Sequence, residues 1–235
     1  MELGILDHVL AAILTAVLPV YAIWEFRDIM AKVKSGDPIA RLRGYVLTIV
    51  VEWGLVAAIF AVWILGGRTF SSLGFGIETG LRFWTGAGLA LLGIAFFIVQ
   101  TRSAISSPEN LNTVRGQFGN LRYMLPSDKR EWNLFKAVSV TAGICEEIMY
   151  RGFFMIYLQS LTGTWAAVIV SSIIFGLGHA YQGPMGIVKT GIAGLIMAGL
   201  YVLTGSLWVP IVLHAAIDLV NGYLGYRAMK DGAAE

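Results

Sequence analysis

The chain has 235 residues, of which 57% are hydrophobic and only 14% charged, and its mean hydropathy is +0.71. A soluble domain carries about 25% charged residues, so polarity is too scarce here to cover a water-facing globule; disorder, which needs low hydrophobicity and high net charge, is excluded more firmly. Seventeen basic and fifteen acidic residues give a net charge of +2, which speaks against nucleic acid as a partner, and the single cysteine excludes an intramolecular disulfide or a CxxC metal knuckle.

Apolar stretches of about 20 residues, the length that crosses a hydrocarbon core, are predicted over 5–24, 44–66, 83–100, 134–158, 164–181, 186–204 and 207–224. They are continuous rather than alternating, which points to helices and away from a β-barrel. The expected fold is all-α: a polytopic transmembrane bundle of about seven spans (six to eight), forming a single integral-membrane domain over 1–235. The first stretch lacks a basic n-region and is followed by Trp24-Glu25-Phe26-Arg27 instead of a small-residue cleavage site, so it reads as a span and not as a signal peptide.

Charge sets an expected orientation. One set of alternate connections holds Arg27, Lys32, Lys34, Arg41 and Arg43, then Arg102, Arg115, Arg122, Lys129, Arg130 and Lys136, then Lys189, Arg227 and Lys230; the other holds Arg68 and Arg82. Basic loops stay cytoplasmic, which predicts the N-terminus outside and the C-terminus inside. The longest connection, about 101–133, reads as a cytoplasmic loop or surface helix. At its end Asp128, with Glu131 three residues on, predicts a capped helix start running into the membrane through 158.

Glu146, Glu147 and Arg151 fall inside that helix, Glu146 about 27 Å along it from Asp128. Each charge at that depth costs about 2.5–3.5 kcal/mol even on a lenient scale, so ionisable groups there mark a site by default. Glu147 and Arg151 are spaced i,i+4 and can pair along one face, which leaves Glu146 without that partner. His179 ends the next span. His214 and Asp218 share a face of the last span, whereas His8 has no such company and reads as structural. Carboxylate and imidazole together can take a proton from water and hand it to a leaving amine, and imidazole donors can hold a tetrahedral oxyanion. Hydrolysis of a peptide bond inside the membrane follows as the expected chemistry.

At these residues the chain resembles the CAAX protease and bacteriocin-processing (CPBP, or Abi) family. The motifs are Glu146-Glu147-x-x-x-Arg151, Phe175-x-x-x-His179 and His214-x-x-x-Asp218, with Arg130-Glu131, Thr141-Ala142-Gly143 and Arg151-Gly152-Phe153 as flanks. The resemblance spans 128–221; Ser71-Ser72-Leu73-Gly74 is a weaker echo, and 1–66 carries none. It implies an intramembrane endopeptidase related to the CAAX prenyl endopeptidases, with no cofactor. In the family's proposed mechanism Glu146 and His179 activate water, His214 and Asp218 hold the oxyanion, and Glu147 and Arg151 orient and support. The implied partners are the lipid bilayer and a membrane-associated peptide or protein substrate, prenylated in some relatives. Prenyl endopeptidases carry Asn where this chain has Asp218, as many bacterial relatives do, so the setting implied is a bacterial or archaeal cell membrane. An ionised Asp218 would repel an oxyanion; it serves either protonated or by orienting a protonated His214.

Other chemistries fit less well. Zinc held by Glu146, His179 and His214 is the alternative ligand set, but HExxH is absent and the three residues come from separate helices. Ser171 lies about 12 Å along the helix from His179, and no GxSxG elbow occurs. Asp218 has no mid-span Asp partner, and Cys145 reads as a small buried hydrophobe. A membrane adaptor or immunity protein that binds without cutting is the alternative outside enzymes. A transporter is the third reading: Glu52 in the second span could serve a proton path, but no inverted repeat is present, and Glu52 reads as a packing or cavity residue.

Overall fold

The computed structural model describes residues 2–230. Among these, secondary structure is helical throughout. Helix α1 (Ile5–Ala12) continues through a π-helical turn (Ile13–Val17) into α2 (Leu18–Lys34). Then follow α3 (Ala40–Leu65), α4 (Leu81–Ala104) and the short surface helix α5 (Pro108–Gln117). Helix α6 (Lys129–Glu147) passes through a second π segment (Ile148–Phe154) into α7 (Met155–Thr162). The chain ends in α8 (Thr164–Gly178), α9 (Pro184–Thr204) and α10 (Trp208–Lys230). The protein is thus an all-α, polytopic membrane bundle.

Seven long helical stretches follow the predicted order, and five are long and apolar enough to cross a membrane: Ile5–Lys34, Ala40–Leu65, Leu81–Ala104, Pro184–Thr204 and Trp208–Lys230. The other two differ for separate reasons. The stretch 129–162 carries Glu146, Glu147 and Arg151 inside it, and Thr164–Gly178 is apolar but has 15 residues. The first helix runs ten residues past its expected end at 24. Glu25, Arg27 and Lys32 are helical, and the connection expected over 25–43 shrinks to a turn before Ala40. Composition there signals departure from the apolar core, which a helix can make without ending.

Helix starts follow local chemistry. The Asp128 side chain accepts from the Glu131 amide at 2.8 Å, capping α6. The Glu131 carboxylate does not close the expected reciprocal box on Asp128. It accepts instead from the amide (2.7 Å) and hydroxyl (2.9 Å) of Ser127 and from Arg41 (3.2 Å), so the cap also ties α6 to α3. Gly163, at φ 92°, supplies the left-handed residue that separates α7 from α8.

Helix α6 lies at the centre. Val56, Ile59 and Trp63 of α3 pack with Cys145, Ile148, Met149, Phe153 and Phe175 in the main core. On the opposite side, a Cβ on Gly143 would lie 2.6 Å from the Ala215 backbone nitrogen, so α6 and α10 cross at near backbone contact. The contacts also sort the connections into two ends. Arg41 donates to Tyr123 and Arg115 to Ala228, which gathers the basic segments at one end. Asp7 with Arg68, Arg82 with Val202, and Leu207 with Gly74 mark the other. Arg68 grips both Asp7 oxygens, at 2.6 and 2.7 Å, and lies over the Trp63 ring, stapling α1 to the α3–α4 loop.

Candidate active site

The Glu pair sits where α6 gives way to the π segment, a distortion frequent at functional sites. Glu147 and Arg151 pair along the helix as their spacing predicts, Arg151 Nη1 being 3.0 Å from Glu147 Oε1, and both are almost completely buried. The Arg151 guanidinium is held twice more: Nη2 donates to the Gly194 carbonyl at 3.0 Å, and the group lies 4.4 Å from the centre of the Phe175 ring. One cation therefore ties the π segment to α8 and α9.

Glu147 has a second role that its sequence position does not reveal. Its Oε1 lies 2.7 Å from His214 Nδ1 on α10. A carboxylate only accepts, so Nδ1 carries the hydrogen and the ring is fixed with Nε2 turned the other way. That Nε2 lies 3.7 Å from Glu146 Oε2 and 3.7 Å from Asp218 Oδ2. The fold thus brings Glu146, Glu147, His214 and Asp218 around one imidazole. Side-chain exposure rises from 0% at Glu147 through 16% at Glu146 to 36% at Asp218, so the cluster is sealed on the Glu147 side and opens at Asp218.

His179 caps the C-terminal end of α8 rather than lying within it. Its Nδ1 is 2.9 Å from the Phe175 carbonyl oxygen. A carbonyl cannot donate, so Nδ1 holds the hydrogen, and Nε2 is the nitrogen that presents a lone pair when the ring is neutral. Among the described residues no hydrogen bond or ion pair joins His179 directly to Glu146. It reaches the cluster through the Phe175 ring, which lies 4.8 Å from His179 and 5.9 Å from His214 between ring centres. Phe175 is thus a platform shared by both imidazoles and by Arg151, a role the F-x-x-x-H spacing contains but does not explain.

Glu52, on α3, is 8% exposed, and among the described residues its Oε2 has no hydrogen-bond partner. Cys145, next to Glu146 in the chain, is fully buried. His8, at the far end, meets the Tyr157 hydroxyl at 2.9 Å. Among the described residues no group of three or more His, Cys, Asp or Glu side chains is arranged to hold a metal ion, and the alternative set Glu146, His179 and His214 is not drawn together as one.

Residues 129–220 match the family described as Type II CAAX prenyl endopeptidase Rce1-like. The matched segment begins at the capped start of α6 and ends just past Asp218, enclosing all three motifs. No curated protein and no solved structure matches the chain.

Proposed function

We propose that this chain, whose residues 129–220 match the family described as Type II CAAX prenyl endopeptidase Rce1-like, is an endopeptidase that cuts a peptide bond near or within the membrane. The observation that supports this most is the convergence of Glu146 and Asp218 on His214, each carboxylate 3.7 Å from its Nε2, with His179 across the Phe175 ring.

Each group then has a step. Water attacks the scissile carbonyl while Glu146, together with His179 Nε2, takes its proton. His214, as an imidazolium anchored through Nδ1 by Glu147, turns its Nε2–H to the oxyanion, and Asp218 beside that nitrogen steadies the cation. Collapse breaks the C–N bond, and the proton taken from water passes to the leaving amine. The products are a carboxylic acid and an amine, which exchange a proton to leave as carboxylate and ammonium, so the step balances without a cofactor. Arg151 holds Glu147, and hence His214, in place. The opening at Asp218 admits a peptide that is itself membrane-associated.

The test is cleavage of a quenched lipidated peptide library by purified protein in bilayers, beside Glu146→Ala, His179→Ala and His214→Ala, each with and without chelator. The expected result is cleavage by the wild type, indifferent to chelator, and a loss of about 10²–10⁴-fold in each variant. Loss to chelator with recovery on adding zinc would replace the mechanism by a metal-dependent one. Tight peptide binding without cleavage, equal in wild type and variants, would replace the enzyme by a binding protein.

A further inference from the structure

We infer that Tyr181, backed by Phe26, is a positioning residue for His179: its ring keeps the imidazole on the Phe175 carbonyl, so that Nε2 remains the nitrogen offered to water. This rests on His179 being a group that takes the proton from water.

His179 stands where α8 has already ended, at φ −100° and ψ 19°, a region of backbone space in which active-site residues recur. One hydrogen bond, from Nδ1 to the Phe175 carbonyl oxygen at 2.9 Å, sets which nitrogen carries the hydrogen. A free histidine side chain favours hydrogen on Nε2, so this bond must persist if Nε2 is to act as a base. The terminal torsion of histidine is broad, and a bond at one edge leaves the ring room to swing off the carbonyl. Two aromatic rings limit that swing. Phe175 lies 4.8 Å from the imidazole with the planes at 52°, and Tyr181 lies 5.9 Å away with the planes at 32°.

Tyr181 is itself held in three ways. Its turn is closed by the backbone, the Gln182 amide donating to the His179 carbonyl at 2.9 Å and the Gly183 amide to the Ala180 carbonyl at 3.0 Å. The Gln182 side chain donates to the Tyr181 hydroxyl at 3.3 Å, and a Cβ on Gly186 would strike Gln182 Cβ, so the start of α9 presses on the turn. The third hold is Phe26 of α2, whose ring meets Tyr181 at 5.6 Å with the planes at 36°. Phe26 falls in the stretch that composition marks as a connection, yet it is helical and only 7% exposed. The continuation of α2 past residue 24 thus buries an aromatic ring against the turn that carries His179. The rings of Phe26, Tyr181, His179 and Phe175 form one chain from α2 to α8, and its first member lies outside the matched segment 129–220. Apolar bulk alone would be met by leucine at 26 or 181; limiting the rotation of a flat imidazole calls for a flat neighbour.

The test uses full-length protein in bilayers, as wild type, Tyr181→Phe, Tyr181→Leu, Phe26→Leu and the double leucine variant. Isotope-labelled histidine lets the ring-nitrogen shifts report the tautomer of His179 in alkaline buffer, where the ring is neutral, and His179→Gln identifies its signals. The expected hydrogen is on Nδ1 in wild type and Tyr181→Phe, and moves toward Nε2 in Tyr181→Leu. For a lipidated peptide, Tyr181→Leu is expected to lose about tenfold to a hundredfold in kcat with KM unchanged, while Tyr181→Phe stays near wild type. Phe26→Leu should show the same changes in smaller measure. The double variant should be no worse than Tyr181→Leu, because Phe26 acts through Tyr181. All are expected to melt close to wild type. Wild-type kcat in Tyr181→Leu, or a loss of kcat with the tautomer unmoved, overturns the inference. So does a loss that merely tracks a lowered melting temperature, or a double variant in which the two losses add. A Tyr181→Phe protein that behaves like Tyr181→Leu would assign the effect to the hydroxyl and overturn it as well. Should the wild type cut nothing while the tautomer still moves in Tyr181→Leu, the endopeptidase reading fails and the positioning of His179 stands.

Discussion

The buried Glu147–Arg151 pair shows how one contact can serve both stability and chemistry. Removing Glu147 leaves Arg151 buried without its counterion, and removing Arg151 leaves Glu147 with His214 alone; breaking such a buried pair typically costs about 3–5 kcal/mol. Arg151→Met is therefore expected to lower unfolding stability by that order, read by denaturant titration in mild detergent. Arg151→Lys should rescue little, because one ammonium cannot meet the Glu147 carboxylate, the Gly194 carbonyl and the Phe175 face together. The double change Glu147→Leu with Arg151→Met removes both charges, so much of the stability returns. Cleavage should not return with it, since His214 Nδ1 then loses the carboxylate that fixes its ring. Recovery of both together would mean that Glu147 does not orient His214. The intrahelical half of this network is legible in the sequence, because i,i+4 spacing is set by helix geometry alone. The Glu147–His214 bond is not, because it depends on how α6 crosses α10.

At the scale of elements, the α6–α10 crossing decides whether the motifs meet. Gly143 stands three residues before Glu146, and a Cβ there would press on the backbone of Ala215, the neighbour of His214. Backbone cannot yield as a flexible side chain can, so α10 must move. Gly143→Val is expected to abolish cleavage and lower the melting temperature, whereas Val140→Ala, at a 42% exposed position on the same helix, should change neither. An active Gly143→Val protein would show that the crossing tolerates more than the geometry allows. Helix order was readable from hydropathy, and the start of α6 from Asp128. What escaped was continuity: α2 runs on to Lys34, and the π segment after Glu147 leaves no signal in apolar spacing. The length of a membrane helix is read from where polarity begins, but its end is set by turn chemistry, here the Ser35–Ile39 connection.

For the whole molecule, the contacts divide the connections into a basic end and a nearly charge-balanced one, and the candidate site leans to the first. His179 closes α8 next to Tyr181, whose ring meets Phe26 at 5.6 Å on the basic-end half of α2. Arg41, Arg115, Arg122 and Arg130 share that end with the C-terminal part of α10. Basic segments are retained in the cytoplasm, so the site should be reached from inside the cell or sideways from the inner leaflet. Residues 231–235 lie outside the described structure, so the end of α10, not the C-terminus itself, carries this reading. Two single-cysteine proteins test it. Cys145 is fully buried and out of an impermeant reagent's reach, and it is replaced by Ala in both. Ser103→Cys places a thiol at the exposed basic-end tip of α4, and Thr79→Cys places one in the exposed loop before α4. In intact cells a membrane-impermeant maleimide should mark Thr79→Cys and reach Ser103→Cys only after permeabilisation. The reverse pattern would turn the bundle over and move the site's mouth to the outer face. A substrate would then have to be presented from outside the cell. Equal labelling of both positions before permeabilisation would show that α4, between them, does not cross the membrane.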